Sequence, residues 1–310
     1  MSHLAPSLPS TNLPAVTSQN MKSINAFLTP VVALFASVAL TANADIAVKS
    51  GEKIGFLGDS ITQGGWSNPA GYVRLVIAGL EANGVKAEPV PAGISGHKSN
   101  QMLARLEKDV LSKKPQWMTL SCGVNDVWHG PNGVPLNDAA AAAGTFTSRP
   151  NEPEKGTYEK NISQIVDAAI AAGARPVILT ATVIKEDPSS PENAKLAPYN
   201  DFLRKLASSK KLPLADLSAL FQERIKQLNA PGKNMLTTDG VHMNTDGNKL
   251  MAIGVLKALG LNDSELKKAE ASWKTLEEEA AAAAAARKKA LEEQAAAKAK
   301  AEREAKGTNK

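Results

Sequence analysis

Runs of apolar residues alternate with amphipathic stretches along most of the chain. Apolar and β-branched runs predict strands, at residues 53–57, 87–90, 116–121, 175–181 and 212–216. Stretches whose apolar residues recur at the helical period predict helices, at residues 72–83, 100–111, 158–172, 196–209, 217–228 and 246–259. Because strand and helix alternate repeatedly, the pattern predicts an α/β fold with a parallel sheet and helices on both faces.

The loops after the carboxyl ends of strands carry function in sheets of this kind. The first such loop lies in the sequence IGFLGDSITQGG, residues 54–65, and places Ser60 directly after Asp59 at the tip of the first strand. A serine hydroxyl becomes a good nucleophile only when a base, usually a histidine oriented by a carboxylate, takes its proton. A catalytic role for Ser60 therefore requires a histidine and an acid elsewhere in the chain.

Two of the four histidines follow an aspartate by three residues. These pairs are Asp126 with His129 and Asp239 with His242. Spacing alone does not choose between them, because an Asp-x-x-His pair is often only a surface hydrogen bond.

Four short blocks of the sequence together resemble the SGNH, or GDSL-type, hydrolases. The blocks are Gly58-Asp59-Ser60-Ile61, Pro91-Ala92-Gly93-Ile94-Ser95-Gly96, Gly123-Val124-Asn125-Asp126 and Asp239-Gly240-Val241-His242. Their order and spacing agree with that family across residues 53–260, with Pro91 standing where an asparagine often opens the second block. The resemblance implies a three-layer α/β/α sandwich with a five-stranded, parallel, flavodoxin-like sheet.

The resemblance also implies a role for each block. Ser60 is the expected nucleophile, His242 the general base, and Asp239 the carboxylate that orients the histidine. The backbone N–H groups of Ser60 and Gly96 and the side-chain amide of Asn125 are expected to form the oxyanion hole. Neither a metal nor a cofactor enters this mechanism.

Four further residues beside these blocks are candidates for contacting the substrate: Asp59, His97, Trp128 and His129. Three of them have a simpler alternative. Asp59 is also suited to holding the turn, His97 to an exposed loop position, and Trp128 to ordinary packing. The aromatic residues Trp66, Tyr72 and Trp128 could stack on the faces of sugar rings.

Composition narrows the classes of function. The net charge of +5 is not gathered into a basic block interleaved with aromatics, so a nucleic-acid partner is not expected. Cys122 is the single cysteine and lies in the apolar run WMTLSCG, which predicts a buried, unreactive thiol. The glycine-rich residues 58–65 lack the spacing of a phosphate-binding loop, and no cluster of ligands indicates a metal site.

Both ends of the chain differ from this core. Residues 21–44 combine a lysine, an apolar run and the sequence Ala42-Asn43-Ala44, which predicts a signal peptide cleaved after Ala44. Residues 263–310 are rich in Ala, Glu and Lys and predict a long, solvated helix that acts as a spacer or a weak self-association element. The expected organisation is an N-terminal extension with signal peptide (1–44), a hydrolase domain (45–262) and a helical tail (263–310).

These observations lead to an expected function. The chain is expected to be a periplasmic or secreted serine esterase without a stable membrane anchor, acting through an acyl-enzyme on small acyl groups, such as acetyl, carried by carbohydrate. A lipid-directed esterase or thioesterase is the alternative within enzymes. A non-catalytic envelope-binding module is the alternative from another class.

Overall fold

The computed structural model describes residues 46–307, with side chains described for residues 46–299. The predicted signal peptide lies outside the described residues. Within them, five parallel strands form one sheet: β1 (Lys53–Gly58), β2 (Glu88–Gly93), β3 (Trp117–Ser121), β4 (Arg175–Leu179) and β5 (Leu214–Ala215). The strands lie in the order β2-β1-β3-β4-β5, which confirms the predicted five-stranded parallel sheet.

Helices cover both faces of the sheet. They are α1 (Ser60–Ser67), α2 (Tyr72–Ala82), α3 (Ser99–Asp109), α4 (Val124–Trp128), α5 (Asp138–Ala143), α6 (Tyr158–Ala171), α7 (Pro191–Lys210), α8 (Leu217–Leu228), α9 (Thr245–Ala258), α10 (Asp263–Ser272) and α11 (Lys274–Gly307). Helices α3, α6 and α7 pack side by side in one layer, and α2, α8, α9 and α10 pack in the other. The predicted three-layer sandwich is confirmed, with every residue of the central strand β3 buried.

Strand β2 forms an edge of the sheet despite its two prolines. Hydrogen bonds join both of its ends to the segment that contains β1: the N–H of Glu88 donates to the carbonyl of Glu52, and the N–H of Ile94, just after β2, donates to that of Gly58. Because alternate residues face β1, Pro89 and Pro91 turn their missing N–H groups away from it. Proline is tolerated in an edge strand for this reason.

Helix α7 begins earlier than the sequence pattern predicts. The side chain of Ser190 caps it by accepting a hydrogen bond from the N–H of Asn193, and Pro191 takes the first helical position. The apolar period starts only at Leu196, so periodicity alone places the start too late. Conversely, β5 is limited to two residues, although an apolar run predicts five.

The predicted tail divides into two helices that break at Trp273. In α10, Leu266 and Ala269 are buried against α2, and Trp273 itself is fully buried. The indole Nε1–H of Trp273 donates to the carbonyl of Leu75 at 2.8 Å. The first part of the tail therefore belongs to the core, which differs from the solvated spacer expected from residue 263 onward. In the described part of the chain, no helix combines the length and apolarity needed to cross a bilayer.

A buried charge cluster anchors the long segment between α4 and α6. Glu152 forms ion pairs with Lys98 and Lys155, and its side chain is 2% exposed. Both ammonium groups also donate to the carbonyl of Asn132, at 2.7 Å and 2.9 Å. The cluster ties this segment to Lys98, two residues beyond Gly96.

Candidate active site

Ser60 stands at the first position of α1, where β1 has just reached the carboxyl edge of the sheet. Asp59 caps this helix, because its carboxylate accepts a 2.9 Å hydrogen bond from the N–H of Ile61. The turn requires glycine at position 58, since a Cβ there would overlap the hydroxyl of Thr62. This strand-to-helix turn leaves Ser60 partly exposed at the sheet edge.

His242 connects Ser60 and Asp239 through hydrogen bonds. Its Nε2 lies 2.8 Å from Oγ of Ser60, and its Nδ1 lies 2.7 Å from Oδ2 of Asp239. The three groups come from positions 60, 239 and 242, so the fold brings together what the sequence separates. With Nδ1 protonated, Nε2 can accept the serine proton as Oγ attacks a carbonyl carbon.

A tight turn holds Asp239 and His242 in this geometry. The N–H groups of Val241 and His242 donate to Oδ1 of Asp239 at 3.0 Å and 2.8 Å, which leaves Oδ2 to face the imidazole. Gly240 adopts a φ of +91°, a left-handed conformation that favours glycine. Partial burial acts to raise the pKa of Asp239, but the hydrogen bonds from His242 and Val241 outweigh it and lower the pKa below its usual range. The carboxylate is therefore ionised at neutral pH and able to stabilise an imidazolium.

Ser60 and Gly96 offer backbone N–H groups at the ends of neighbouring strands. Gly93 pairs with Gly58 at the carboxyl ends of β2 and β1, which carries the Gly96 loop to the same edge of the sheet as Ser60. Gly96 has a φ of +76°, and nothing lies within 4 Å of where its Cβ would be, so the backbone conformation is what favours glycine there. Neither N–H forms a hydrogen bond with another group in the described residues, and both can serve an oxyanion.

Asn125 is buried in α4 and binds the neighbouring blocks. Its Nδ2 donates to Oδ2 of Asp59 at 3.3 Å and to the carbonyl of His97 at 3.2 Å. Burial raises the pKa of Asp59 to about 6, against the opposing effect of the hydrogen bond from Ile61. Asp59 is 2% exposed and both of its oxygens accept hydrogen bonds, so the structure favours its turn-holding role over substrate contact.

The other three predicted substrate-contact residues differ in their burial and in their hydrogen-bond partners. His97 is half-buried, and its Nδ1 accepts a hydrogen bond from Arg105. Trp128 is 45% exposed, with its ring 6.5 Å from that of His129. Among the described side chains, neither Trp128 nor His129 forms a hydrogen bond with Ser60 or His242.

Two aromatic residues are unavailable for stacking on a sugar. Tyr72 is fully buried, and its hydroxyl lies 2.8 Å from that of Thr62. Trp66 packs against the core and is covered on one face by the guanidinium of Arg74 at 4.6 Å. Trp128 remains the exposed aromatic of the predicted three.

Glu186 supports the Asp239–His242 turn, and no sequence pattern indicated it. The residue is fully buried, and its carboxylate accepts hydrogen bonds from the N–H of Leu236 at 2.8 Å and the hydroxyl of Thr237 at 2.6 Å. Thr237 in turn accepts from the N–H of Gly240 at 3.0 Å. Because Glu186 lies in a loop 53 residues before Asp239, only the folded chain shows this contact.

A small cleft opens beside Ser60 and His242. It has a volume of about 100 Å³, and its lining comprises Ser60, Ile61, Gly64, Asn68, His242, Met243 and Asn248. Sites that enclose a drug-sized ligand usually span roughly 300–1,000 Å³, so this cleft suits a small group. Within the described part of the chain, no group of three or more His, Cys, Asp or Glu residues is arranged to hold a metal ion.

Comparison with known proteins identifies the family of this chain. The profile of the GDSL-like lipase/acylhydrolase family matches residues 56–250, which include the serine turn, Gly96, Asn125 and the Asp239–His242 turn. The chain belongs to this family. The match covers the sheet and most of both helical layers, and it ends before α10 and α11.

Acetylxylan esterases are among the similar proteins. One from Geobacillus stearothermophilus is 26% identical over 227 residues, covering 69% of this chain and 96% of the relative. The crystal structure of Axe2, an acetylxylan esterase of the same organism, has a TM-score of 0.56 at 26% identity, covering 70% of this chain and 97% of its own. That of the acetyl xylan esterase AlAXEase has a TM-score of 0.54 at 30% identity, covering 66% and 98%.

Further solved structures bear on the chemistry. LAE5, an α/β hydrolase enzyme from the metagenome of Lake Arreo in Spain, has a TM-score of 0.55 at 25% identity, covering 69% of this chain and 98% of its own. Axe2 is also known as alanine variants of a serine, an aspartate and a histidine, each called a catalytic mutant. In Axe2 that aspartate precedes the histidine by three positions. Family and relatives together make this chain a serine hydrolase that acts on ester bonds.

Proposed function

We propose that the chain is an exported esterase that removes acetyl or similarly small acyl groups from carbohydrate through an acyl-enzyme. The observation that carries this proposal is the hydrogen-bonded series Ser60–His242–Asp239, with distances of 2.8 Å and 2.7 Å. The series stands beside two backbone N–H groups that have no other partner in the described residues. Together, the series and the two N–H groups provide a nucleophile, a base and oxyanion donors at one sheet edge.

The first half of the reaction forms the acyl-enzyme. Oγ of Ser60 attacks the ester carbonyl carbon while Nε2 of His242 takes the serine proton. The carbonyl oxygen becomes an oxyanion, which accepts hydrogen bonds from the N–H groups of Ser60 and Gly96. Asn125 adds a third when its side-chain amide turns from one of its two present partners, Asp59 or the carbonyl of His97, toward the oxyanion. The imidazolium of His242 then gives its proton to the departing alcohol oxygen as the C–O bond breaks.

The second half repeats these steps with water. His242 takes a proton from a water molecule, whose oxygen attacks the acyl carbon through a second oxyanion. The proton returns to Oγ of Ser60 as the carboxylic acid leaves. Asp239 stabilises the imidazolium in both halves. Loss of one oxyanion donor typically raises such a barrier by about 3–4 kcal/mol.

The cavities support a small acyl group on a larger alcohol. The cleft at Ser60 and His242 has a volume of about 100 Å³. Asn68 lines this cleft and also a larger groove of about 660 Å³ between the α1–α2 loop and α11, where Arg287 and Lys288 stand. A sugar chain that carries the ester has room in this groove. The acetylxylan esterases among the relatives support the same class of substrate.

The pattern of acyl-chain preference tests the proposal. We expect kcat/KM to be highest for p-nitrophenyl acetate and to fall for butyrate and octanoate, with acetate also released from acetylated xylooligosaccharides. A preference that rises with chain length would overturn the small-acyl proposal and favour a lipid-directed esterase. Absence of turnover on every ester by the folded protein would favour a binding module.

Export rests on residues 21–44 alone. We expect the mature protein in a host with signal peptidase to begin at Asp45, which N-terminal sequencing would establish. Recovery of the uncleaved chain from the cytoplasm would contradict export and leave the catalytic proposal unaffected.

A further inference from the structure

Arg105 lies beneath the candidate active site and contacts three segments that build it. The residue belongs to α3 and is 9% exposed. Its NH2 group donates to the carbonyl of Gly58 at 2.8 Å, and its NH1 group donates to the carbonyl of Ala92 at 2.8 Å. Its Nε–H donates to Nδ1 of His97 at 3.1 Å. One side chain thus binds the end of β1, the end of β2 and the residue that follows Gly96.

These contacts join the two backbone donors of the oxyanion hole. Gly58 lies two residues before Ser60, and the carbonyl of Gly58 also accepts a hydrogen bond from the N–H of Ile94, at 3.1 Å. A carbonyl oxygen has two lone pairs, so it can accept from both. Arg105 adds a second link between β1 and the Gly96 loop, at the place where the ladder of the edge strand ends.

The contact with His97 extends the network to the third donor. The backbone carbonyl of His97 accepts from Nδ2 of Asn125, and its ring accepts from Arg105. Burial, reinforced by the Arg105 charge, lowers the pKa of His97, so its ring is neutral at pH 7 and Nδ1 can accept. Asp109 balances the guanidinium, at 3.1 Å from NH1.

We infer that Arg105 is a positioning residue that sets the spacing between the oxyanion donors of Ser60, Gly96 and Asn125. It does not touch the reacting atoms. The inference rests on the proposed roles of those three donors. A planar guanidinium can reach two carbonyls on different strands and an imidazole at once, whereas a lysine ammonium presents its donors from a single point.

The variant Arg105→Lys tests this inference, with Arg204→Lys as the matched control. Arg204 makes three charge-assisted hydrogen bonds, to Asp201 and Asp216, but it lies on α7 near β5. We expect Arg105→Lys to lower kcat for p-nitrophenyl acetate by about 10- to 100-fold with little change in KM, because small misplacements of catalytic groups cost on that order. Arg204→Lys should lower the melting temperature and leave kcat near that of the wild type.

A second readout separates positioning from folding. A methyl trifluoromethyl ketone forms a tetrahedral adduct with a catalytic serine, so its inhibition constant reports on the oxyanion hole. We expect this constant to rise in Arg105→Lys by about the factor by which kcat/KM falls. Wild-type kcat and inhibition in Arg105→Lys, or equal losses of kcat in both arginine variants, would overturn the inference. If Ser60→Ala kept its turnover, the proposed function itself would fail, which is a different outcome.

Discussion

Ser60 becomes a candidate nucleophile only through groups far away in the sequence. Its partner His242 follows it by 182 residues, yet their reacting atoms are 2.8 Å apart. The structure also decides between the two Asp-x-x-His pairs. Asp126 is buried and accepts hydrogen bonds from the N–H of Ser99 and the thiol of Cys122, so its carboxylate does not serve His129. Of these two pairs, only Asp239 and His242 have the geometry of an oriented base.

We therefore expect substitution of the two histidines to have different effects. We expect His242→Ala to lower kcat for p-nitrophenyl acetate by at least about a thousandfold, because removal of a triad base has effects of that order. His129→Ala should leave kcat of the same order as the wild type and act mainly on KM. Steady-state kinetics of the two variants at pH 7 make the comparison, and the reverse result would refute the choice of base.

At the scale of single residues, short motifs indicate catalytic groups but not the residues that support them. The resemblance of four sequence blocks to the SGNH hydrolases implied roles for Ser60, Gly96, Asn125 and the Asp239–His242 pair, because the residues of each block lie within a few positions of one another. Arg105 and Glu186 act through contacts made only after folding, so no local pattern marks them. The sequence also did not indicate the burial of Asp59, since a residue next to the nucleophile can face either the core or the solvent.

At the scale of elements, buried charges hold the segment between α4 and α6. Burial acts to raise the pKa of Glu152, but the ammonium of Lys98, with the N–H of Arg149 and the amide of Asn100, lowers it to about 2. A carboxyl whose pKa is lower in the folded state stabilises that state above its unfolded value of 4.5. This stabilisation is lost as the pH falls toward 2.

The variant Glu152→Gln measures this contribution. It leaves Lys98 and Lys155 buried without a carboxylate partner, which typically costs about 3–5 kcal/mol. We expect the difference in unfolding free energy from the wild type to be constant above about pH 5 and to shrink as the pH falls from 4.5 to 2. Urea unfolding at several pH values gives the difference. The exposed Glu154→Gln is the control, and an equal, pH-independent loss in both variants would contradict this account.

The existence of the five strands and of the longer helices was predictable from periodicity, whereas the short helices α4 and α5 and the limits of several elements were not. Helix α8 begins and ends as predicted, because an apolar period and an aspartate cap coincide there. Helix α7 and strand β5 differ because a Ser-Pro start and edge pairing decided their limits. Such features depend on capping and on neighbouring strands rather than on the hydrophobic pattern.

The whole molecule extends beyond the part shared with the family. The family match ends at residue 250, but α10 packs on α2 and buries Trp273. Composition alone placed this stretch in a solvated tail, because its few apolar residues are outnumbered by Ala, Glu and Lys. Which face of α10 is buried can be recognised only once its contact with α2 is known.

Two truncations distinguish the packed part of the tail from the rest. Ending the chain after Leu261 removes α10 and Trp273, and loss of a buried tryptophan side chain alone costs about 3–5 kcal/mol. Ending it after Glu279 keeps Trp273 and the ion pair between Lys249 and Glu277. We expect the first truncation to lower the melting temperature strongly, and the second to keep both stability and turnover of p-nitrophenyl acetate. Equal melting temperatures for the two truncated chains would show that α10 does not stabilise the core.

The central claim is that Ser60 is the nucleophile of an esterase that deacetylates carbohydrate. The most direct measurement is the rate of acetate release from acetylated xylooligosaccharides by the wild type and by Ser60→Ala, at equal concentrations of folded protein. We predict release by the wild type and a rate at the background of spontaneous hydrolysis for Ser60→Ala. Acetate release by Ser60→Ala at the wild-type rate would contradict this account.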